Sequence, residues 1–541
     1  MSAPAAPSQI ALPKRQLMLV FAGLMLGMFL AALDQTIVST ALPTIVGELG
    51  GLNHLSWVVT SYMLASTVST PLYGKLGDLY GRKKLFQAAI VIFLAGSVLA
   101  GLSQNMMELI GFRALQGLGA GGLMVGAQAI IGDVVPPAER GRYMGLIGSV
   151  FAVSSVIGPL LGGFFTDSLS WRWVFYINLP VGAIALFVVG VALHSPKVRV
   201  QHRIDYLGAA VLTAAASSLI LMLTWGGTQY AWSSPEILGL GFATAALLAL
   251  FVVVENRAAE PVLPLRLFNN SIFRVSAAGS TIIGFSMFGA MTFLPLFLQT
   301  VHLVSPTLSG LELLPIMAFV LSMSIWSGRR IAKKGRYRPY PIAGTIIFTI
   351  GFLGLAEFGL GLHTPYWKTA IFMGMIGAGL GLTMQVFVLS VQNSVDYRDL
   401  GVGTSAATFF RSIGGSLGVA VFGEIFANRF AAALPAQLKA SAQFAGGGGM
   451  HLTPAQLKTM KHAYPQVFEQ FLNAFNHALH IVFMAGVPFA VLAVICALLL
   501  REVPLRRTTG RGPAVDAAES QAMQEAPETV ITPARSPATA G

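Results

Sequence analysis

The sequence predicts an all-α polytopic membrane protein with fourteen transmembrane helices, because of its composition, its apolar segments and the placement of its charges. Of the 541 residues, 55% are hydrophobic and only 10% are charged, and the mean hydropathy is +0.70. A soluble domain carries roughly a quarter of its residues as charges. A chain with so few charges cannot cover itself for water, so most of its surface is expected to face hydrocarbon.

Fourteen segments are long and apolar enough to cross a bilayer, which takes about twenty residues each. Counts of thirteen or twelve are the alternatives. The predicted spans are 17–39, 56–76, 85–103, 107–130, 143–166, 174–194, 206–225, 236–254, 274–300, 309–328, 340–360, 367–390, 403–425 and 476–500.

The basic residues predict the orientation of these spans. If the N-terminus is cytoplasmic, 26 of the 34 Lys and Arg lie in or beside the inner segments and 6 on the outer side. Cytoplasmic loops of membrane proteins carry such an excess. We therefore expect a multi-pass protein of the cell membrane with both termini cytoplasmic. The net charge of +12 then reflects topology, and no nucleic-acid partner is expected.

Several other classes of function are disfavoured by the sequence. The chain has one cysteine, which excludes a disulfide framework or a thiolate metal cluster. Its histidines lack metal-ligand spacing, so no metal or cofactor is expected, and no GxxxxGK[ST] nucleotide loop occurs. A membrane-embedded transferase, which would need clustered His, Asp or Cys, is the less favoured alternative to a transporter.

Two loops on the inner side resemble each other. The first loop, 74–84, reads GKLGDLYGRKK, and the second loop, 328–338, reads GRRIAKKGRYR. Their glycines and an arginine align, whereas an aspartate of the first loop is replaced by alanine in the second. The aligned pairs are Gly74/Gly328, Asp78/Ala332, Gly81/Gly335 and Arg82/Arg336.

The positions of the two loops indicate a duplicated six-helix unit, a recurring transporter plan. The predicted parts are a cytoplasmic segment 1–16, a six-helix half 17–194, two inserted helices 206–254, a six-helix half 274–500 with an external loop 426–475, and a tail 501–541. The tail is expected to be disordered because it is rich in Ala, Pro, Thr and Glu. An amphipathic stretch in the external loop predicts one or two surface helices.

The first loop resembles the signature loop of the major facilitator superfamily. LDQTIVSTALPTI in span 1, RALQGLGAG in span 4 and GPLLGGFFTD in span 5 fit the same family, and WRWVFYINLPVG with fourteen spans resembles its QacA/EmrB-like drug:proton antiporters. The resemblance implies two six-helix halves that rock to give alternating access. It also implies exchange of protons for small amphipathic compounds by a functional monomer in membrane lipid.

Five residues of the first loop and span 4 are candidates for a conformational latch: Gly74, Asp78, Gly81, Arg82 and Asp133. The glycines permit a tight turn and close approach, and a carboxylate complements the start of a helix. The family resemblance implies that Asp78 caps span 13 and that Arg82 pairs with Asp133. The alternative is that the basic residues are ordinary positive-inside anchors.

Asp34, Arg113 and Arg411 are candidates for proton coupling because charges inside a span are costly and usually functional. Asp34 and Arg113 fall at similar depths, so we expect them to share one polar site in which Asp34 carries the proton. A static ion pair is the alternative. Arg411 either snorkels to the inner face or competes with the proton for Asp34.

The resemblance further implies that Gly158, Pro159, Gly162 and Gly163 form the motif that marks exporters, although Ser154 replaces its usual earlier glycine. The possible substrate path includes Gln116, Met124, Glu312 and Gln385, with packing or interface solvation as the alternative for each. The function expected is proton-coupled export of amphipathic drugs. Export of a lipid or an endogenous metabolite remains open.

Overall fold

The computed structural model describes residues 13–49, 55–193, 205–227, 229–304, 306–434 and 454–505. Fourteen long helices dominate these ranges. They are α1 (Lys14–Leu49), α2 (Leu55–Tyr80), α3 (Arg82–Leu102), α4 (Met106–Val134), α5 (Pro137–Ser168), α6 (Asn178–Ala192), α7 (Tyr206–Trp225), α8 (Pro235–Arg257), α9 (Ser271–Val301), α10 (Leu314–Lys334), α11 (Pro339–Gly354), α12 (Tyr366–Ser394), α13 (Leu400–Ala433) and α14 (Pro465–Leu499).

Short helices connect or extend the long ones. They are Trp173–Tyr176, Leu265–Asn269, Pro306–Glu312, Leu355–Gly359, Tyr397–Asp399 and Pro454–Ala463. The predicted all-α fold class is confirmed. The N-terminal segment up to residue 12, the GGGG stretch and the tail from residue 506 lie outside the described residues.

The helix α2 differs in composition from the other long helices. Thirteen helical stretches of the described residues are long and apolar enough to cross a membrane, and α2 is the fourteenth long helix. It spans 26 residues but carries hydroxyl side chains at Ser61, Thr67, Ser69 and Thr70, all buried. Because α2 packs tightly on α4 and α13, these side chains face protein rather than lipid.

The start of α14 differs from the prediction. The last span was predicted to begin at residue 476, but α14 begins at Pro465. Within the described part of the loop 426–475, Pro454–Ala463 forms a separate helix. Phe468, Phe471 and Phe475 are buried, and the last two pack on Phe430 of α13. The amphipathic pattern that predicted a surface helix therefore belongs, from Pro465 onward, to an extension of the final span.

Each six-helix region has its own apolar core. One cluster is built from residues between Val20 and Leu193, and another from residues between Ile272 and Leu505. The pair α7 and α8 pack together, and α7 also contacts α2 and α13, one helix from each region. The inserted pair therefore touches both halves.

The two halves meet at the end of the bundle that carries the first and second loops, called the basic face below. There α2 packs on α13, and α5 packs on α10. At the second of these contacts Gly141 and Gly328 approach so closely that a Cβ on Gly328 would lie 1.9 Å from the Gly141 carbonyl oxygen. The basic face is closed in this structure.

The opposite face of the first half is held together by Glu48, at the end of α1. Trp171 Nε1 donates a hydrogen bond of 2.8 Å to one carboxylate oxygen of Glu48, and Arg172 donates one of 2.5 Å to the other. The hydrogen bond from Arg172 lowers the pKa of Glu48. These bonds fix the connection between α5 and α6 to α1.

Candidate functional site

Asp34 and Arg113 form an ion pair inside the first half. Asp34 lies on α1 and is 0% exposed, and Arg113 lies on α4 and is 1% exposed. Arg113 Nη1 donates to Asp34 Oδ2. Gln116, one turn along α4, donates to Asp34 Oδ1 at 2.7 Å. The two charges therefore share one site, as their matching depths predicted.

The guanidinium of Arg113 is held from three further directions. Its Nε donates to the carbonyl of Val58 at 3.3 Å, and its Nη1 also donates to Gln116 Oε1 at 2.8 Å. Its centre lies 4.2 Å from the ring centroid of Tyr62, and the Tyr62 hydroxyl donates to the carbonyl of Ala31 at 3.1 Å. A cation on an aromatic face is stabilised most where water is excluded.

Two polar residues that were not predicted complete the site. Asn178 Nδ2 donates to Asp34 Oδ1 at 3.2 Å and to Ser97 Oγ at 3.0 Å. Gln116 also donates to Ser97 Oγ, at 3.1 Å, and that hydroxyl donates to the carbonyl of Phe175 at 2.8 Å. The signal available in the sequence was a carboxamide inside the apolar segment 174–194, since a buried polar group needs a partner.

The arrangement can hold or move one proton at Asp34. Arg113, Gln116 and Asn178 all donate to this carboxylate, and a protonated carboxyl group would keep acceptor sites for them but lose its charge attraction to Arg113. Asn178 Oδ1 is buried and has no hydrogen-bond partner among the described residues. Because Asn178 presents Nδ2 to Asp34, its carboxamide would have to turn for Oδ1 to accept a hydrogen bond from a protonated Asp34.

A second polar cluster joins the halves at the basic face. Asp78 accepts hydrogen bonds from the backbone amides of Gly401 (3.1 Å) and Val402 (3.0 Å), in the first turn of α13. Arg82 Nη2 lies 2.5 Å from Asp78 Oδ1, and Arg82 Nη1 pairs with Asp133. These are the contacts that the latch prediction requires between the first loop, α4 and α13.

Two glycines make this geometry possible. Gly81 has φ of 95°, a conformation that other residues adopt only with strain. A Cβ on Gly74 would lie 2.2 Å from Ser405 Oγ and 2.8 Å from the carbonyl oxygen of Gly401. The approach of α2 to α13, and with it the reach of Asp78, depends on a residue without a side chain at position 74.

A further contact between the halves was not predicted. Gln392 of α12 donates from Nε2 to the carbonyl of Gln128 on α4 at 3.3 Å and to Thr404 Oγ1 at 3.0 Å. Leu400 packs beside it against Gly132. We call this contact, Gln128 with Gln392 and Thr404, the seam. Sequence alone did not indicate which faces of α4 and α12 meet.

The candidate exporter motif lies against α1. A Cβ on Gly158 would lie 2.1 Å from Thr36 Oγ1, and one on Gly162 would lie 2.0 Å from Thr40 Oγ1. A Cβ on Gly163 would meet nothing within 4 Å, so the expected close approach does not extend to that glycine. The helix α5 continues through Pro159.

The residues predicted for a substrate path do not lie together in one site within the described part of the chain. Gln116 belongs to the Asp34 cluster rather than to a separate substrate path. Met124 packs against the core of the first half, as its alternative interpretation held. The backbone carbonyl of Glu312 accepts a hydrogen bond of 2.8 Å from the Tyr366 hydroxyl, at the end of the short helix Pro306–Glu312.

Arg411 does not reach the Asp34 cluster. It makes no ion pair or side-chain hydrogen bond with the residues that the structure describes, and its side chain is partly exposed. It lies eleven residues, about 16 Å, beyond the start of α13 at Leu400. That distance exceeds the length of its side chain, so the interpretation that it snorkels to the basic face is disfavoured.

Two core-forming helical halves, the first of which encloses a buried ion pair, meet at a closed basic face, an arrangement typical of membrane transporters. A family model described as Major Facilitator Superfamily matches residues 24–419, and the chain belongs to this family.

Similar proteins include transporters of known and unknown cargo. An uncharacterized MFS-type transporter of Mycobacterium tuberculosis is 43% identical over 488 residues, which cover 90% of this chain and 70% of that protein. The multidrug transporter protein MdtP of Bacillus subtilis is 38% identical, over 90% of this chain and 93% of that protein. The structure of the proton:xylose symporter XylE is 13% identical, with a TM-score of 0.60 over 92% of this chain and 98% of that chain, and shares the fold.

Proposed function

We propose that the chain exports amphipathic compounds across the plasma membrane in exchange for protons, by alternating access. The observation that supports proton coupling most directly is the buried pair of Asp34 and Arg113. A charge within a span costs about 2.5–3.5 kcal/mol even on the mildest scale. Protonation of Asp34 would remove the charge that ties α1 to α4, so a change in its protonation state would change how these two helices are held.

The proposed cycle starts from the arrangement in this structure. The basic face is taken as cytoplasmic, so its closure excludes an inward-facing state. A proton from outside neutralises Asp34 and releases Arg113, which removes the ionic tie between α1 and α4. The halves then rock, Asp78 leaves the amides of α13, and the proton departs to the cytoplasm. Its inward movement supplies about 2.3 kcal/mol per 100 mV of membrane potential.

The proposal of a drug-like cargo is supported by the relatives. MdtP is named a multidrug transporter, and a 35% identical protein of Bacillus subtilis is named multidrug resistance protein 3. Export of a lipid or an endogenous metabolite is the alternative cargo that the test below separates.

The test is transport in proteoliposomes with an imposed pH gradient, using amphipathic dyes and fluorescent lipids. We expect dye movement that collapses with a protonophore. Asp34→Asn should lower gradient-driven transport at least tenfold, whereas Glu236→Gln, which neutralises an exposed acid in the first turn of α8, should leave it unchanged. Undiminished gradient-driven export by Asp34→Asn would refute the proton site. Movement of lipid without dye would favour the alternative cargo.

A further inference from the structure

Arg411 and Gln385 lie at the same height above the seam. Gln392 on α12 and Thr404 on α13 form the seam with α4. Gln385 precedes Gln392 by seven residues on α12, and Arg411 follows Thr404 by seven on α13. Seven residues are nearly two helical turns, so each residue lies on the face of its seam neighbour, about 10 Å farther along the helix. Because the two helices run in opposite directions, both displacements point away from the basic face.

Both side chains have unused hydrogen-bonding capacity. Gln385 is 8% exposed, and its Oε1 is buried without a partner among the described residues. Arg411 is partly exposed and makes no ion pair within the same part of the chain. An unpaired cation inside a span is costly, and a carboxamide without partners is costly for the same reason. The groups left to donate to a ligand are the guanidinium of Arg411 and Nε2 of Gln385, neither of which donates a hydrogen bond within the described residues.

The backbone around Arg411 is held rigidly. A Cβ on Gly284 of α9 would lie 2.1 Å from the carbonyl oxygen of Arg411, and one on Gly414 would lie 2.0 Å from the carbonyl oxygen of Thr281. Phe288 packs on Gly415 in the same contact. Since α9 and α13 touch backbone to backbone here, the backbone from which the Arg411 side chain extends is fixed before a ligand arrives.

The charges near these residues are unbalanced. Arg113 is neutralised by Asp34, whereas Arg411 has no acidic partner among the described residues. Glu312 ends the short helix Pro306–Glu312, which precedes α10 at the end of that helix away from the basic face.

We propose that Arg411, assisted by Gln385, binds the anionic headgroup of the cargo. The substrates are then amphipathic carboxylates rather than cations. The guanidinium would donate to the carboxylate, and the carboxamide would donate a further hydrogen bond. The inference deepens the proposed export function and rests on it.

The test is equilibrium binding to the full chain in detergent, where no gradient is needed. The probes are 11-(dansylamino)undecanoic acid and its methyl ester, which differ in the charge of one group. The wild type should bind the acid at least tenfold more tightly than the ester. Arg411→Gln should weaken acid binding at least tenfold and ester binding less than twofold. Arg411→Lys should recover most of the loss, and Gln385→Leu should weaken acid binding about threefold.

The control is Arg336→Gln, which removes an exposed arginine of the second loop and should change neither affinity. Equal affinity of the wild type for acid and ester would overturn the inference, as would an equal loss of both probes in Arg411→Gln. The outcome is separable from proton coupling. Selective acid binding without gradient-driven transport would refute the export proposal and leave this anion site standing.

Discussion

The first and second loops each contain a glycine with positive φ but hold different parts of the molecule. Gly81 has φ of 95° and ψ of 126°, and its counterpart Gly335 has φ of 68° and ψ of 7°, so the two backbones turn differently. In the first loop, Asp78 reaches across to the other half and caps α13. The second loop has Ala332 at that place and makes its hydrogen bonds within its own half.

The partner of the second loop is the segment after α14. Tyr337, which is 0% exposed, donates its hydroxyl to the carbonyl of Arg501 and its amide to Glu502, both at 2.8 Å. The amide of Val503 donates to the Tyr337 hydroxyl at 3.2 Å. The first loop therefore joins the two halves, whereas the second loop holds the end of its own half.

The helix α10, which leads into the second loop, contacts the first half at a place where a carboxylate would find fewer backbone donors. Gly74 meets Ser405 of α13, and Gly328 meets Gly141 of α5. Gly401, whose amide donates to Asp78, lies four residues before Ser405. Pro137 lies four residues before Gly141. Proline has no amide hydrogen, so an acid in the second loop would lack one of its two donors.

The largest effect should come from Asp78→Asn. The change removes the charge that complements the start of α13 and the ionic partner of Arg82, and a charge at a helix start contributes about 0.3–2 kcal/mol. We expect the ratio of closed to open basic face to fall roughly tenfold, since 1.4 kcal/mol corresponds to that factor. Double electron–electron resonance measures the distance between spin labels at the exposed positions 142 and 336, one on each half. The labels are introduced in a Cys496→Ala background. An unchanged distance distribution would show that Asp78 does not hold the halves.

Gly74→Ala and Gly328→Ala should have similar effects on the basic face, although only the first loop carries an acid, Asp78. Each adds a methyl group that collides with backbone of the other half, at 2.8 Å from Gly401 and 1.9 Å from Gly141. Overpacking costs typically about 1–3 kcal/mol, so both should widen the same spin-label distance. Gly163→Ala, which meets nothing within 4 Å, is the control. A strong effect of only one loop glycine would mean that the two contacts are not equivalent.

Tyr337→Phe should destabilise the second half without opening the basic face. It removes two hydrogen bonds, each worth about 1 kcal/mol. The single cysteine, Cys496 on α14, is partly buried, so the temperature at which its thiol becomes reactive should fall. Tyr340→Phe, whose hydroxyl has no hydrogen-bond partner among the described residues, should not change that temperature. A shift of the spin-label distance in Tyr337→Phe would contradict the division of roles.

The smallest effect is expected from Ala332→Asp. The new carboxylate would face the start of α5, where Pro137 offers no donor. We expect less than a twofold change in the closed fraction, measured with the same pair of labels. A gain as large as the loss in Asp78→Asn would show that a second latch forms without the missing amide.

The sequence alone predicted the features that follow from the cost of placing a charge in the membrane or from a repeated motif. Apolar length located the spans, and the expense of intramembrane charge selected Asp34 and Arg113, which lie in contact. Asn178 and Ser97 were missed because small polar residues also occur in spans without a partner at another helix. The seam between Gln392 and Gln128 was missed because a one-dimensional pattern does not state which helices are neighbours. The start of α14 was misplaced because a surface helix and a helical extension have the same periodicity.

Pro137 also sets which side of the bundle can carry a two-donor carboxylate cap. A cap like that of Asp78 on the amides of Gly401 and Val402 would need both an acid at position 332 and a residue with an amide hydrogen at position 137. With proline at that position, a carboxylate cap with two backbone donors fastens the halves from the α13 side.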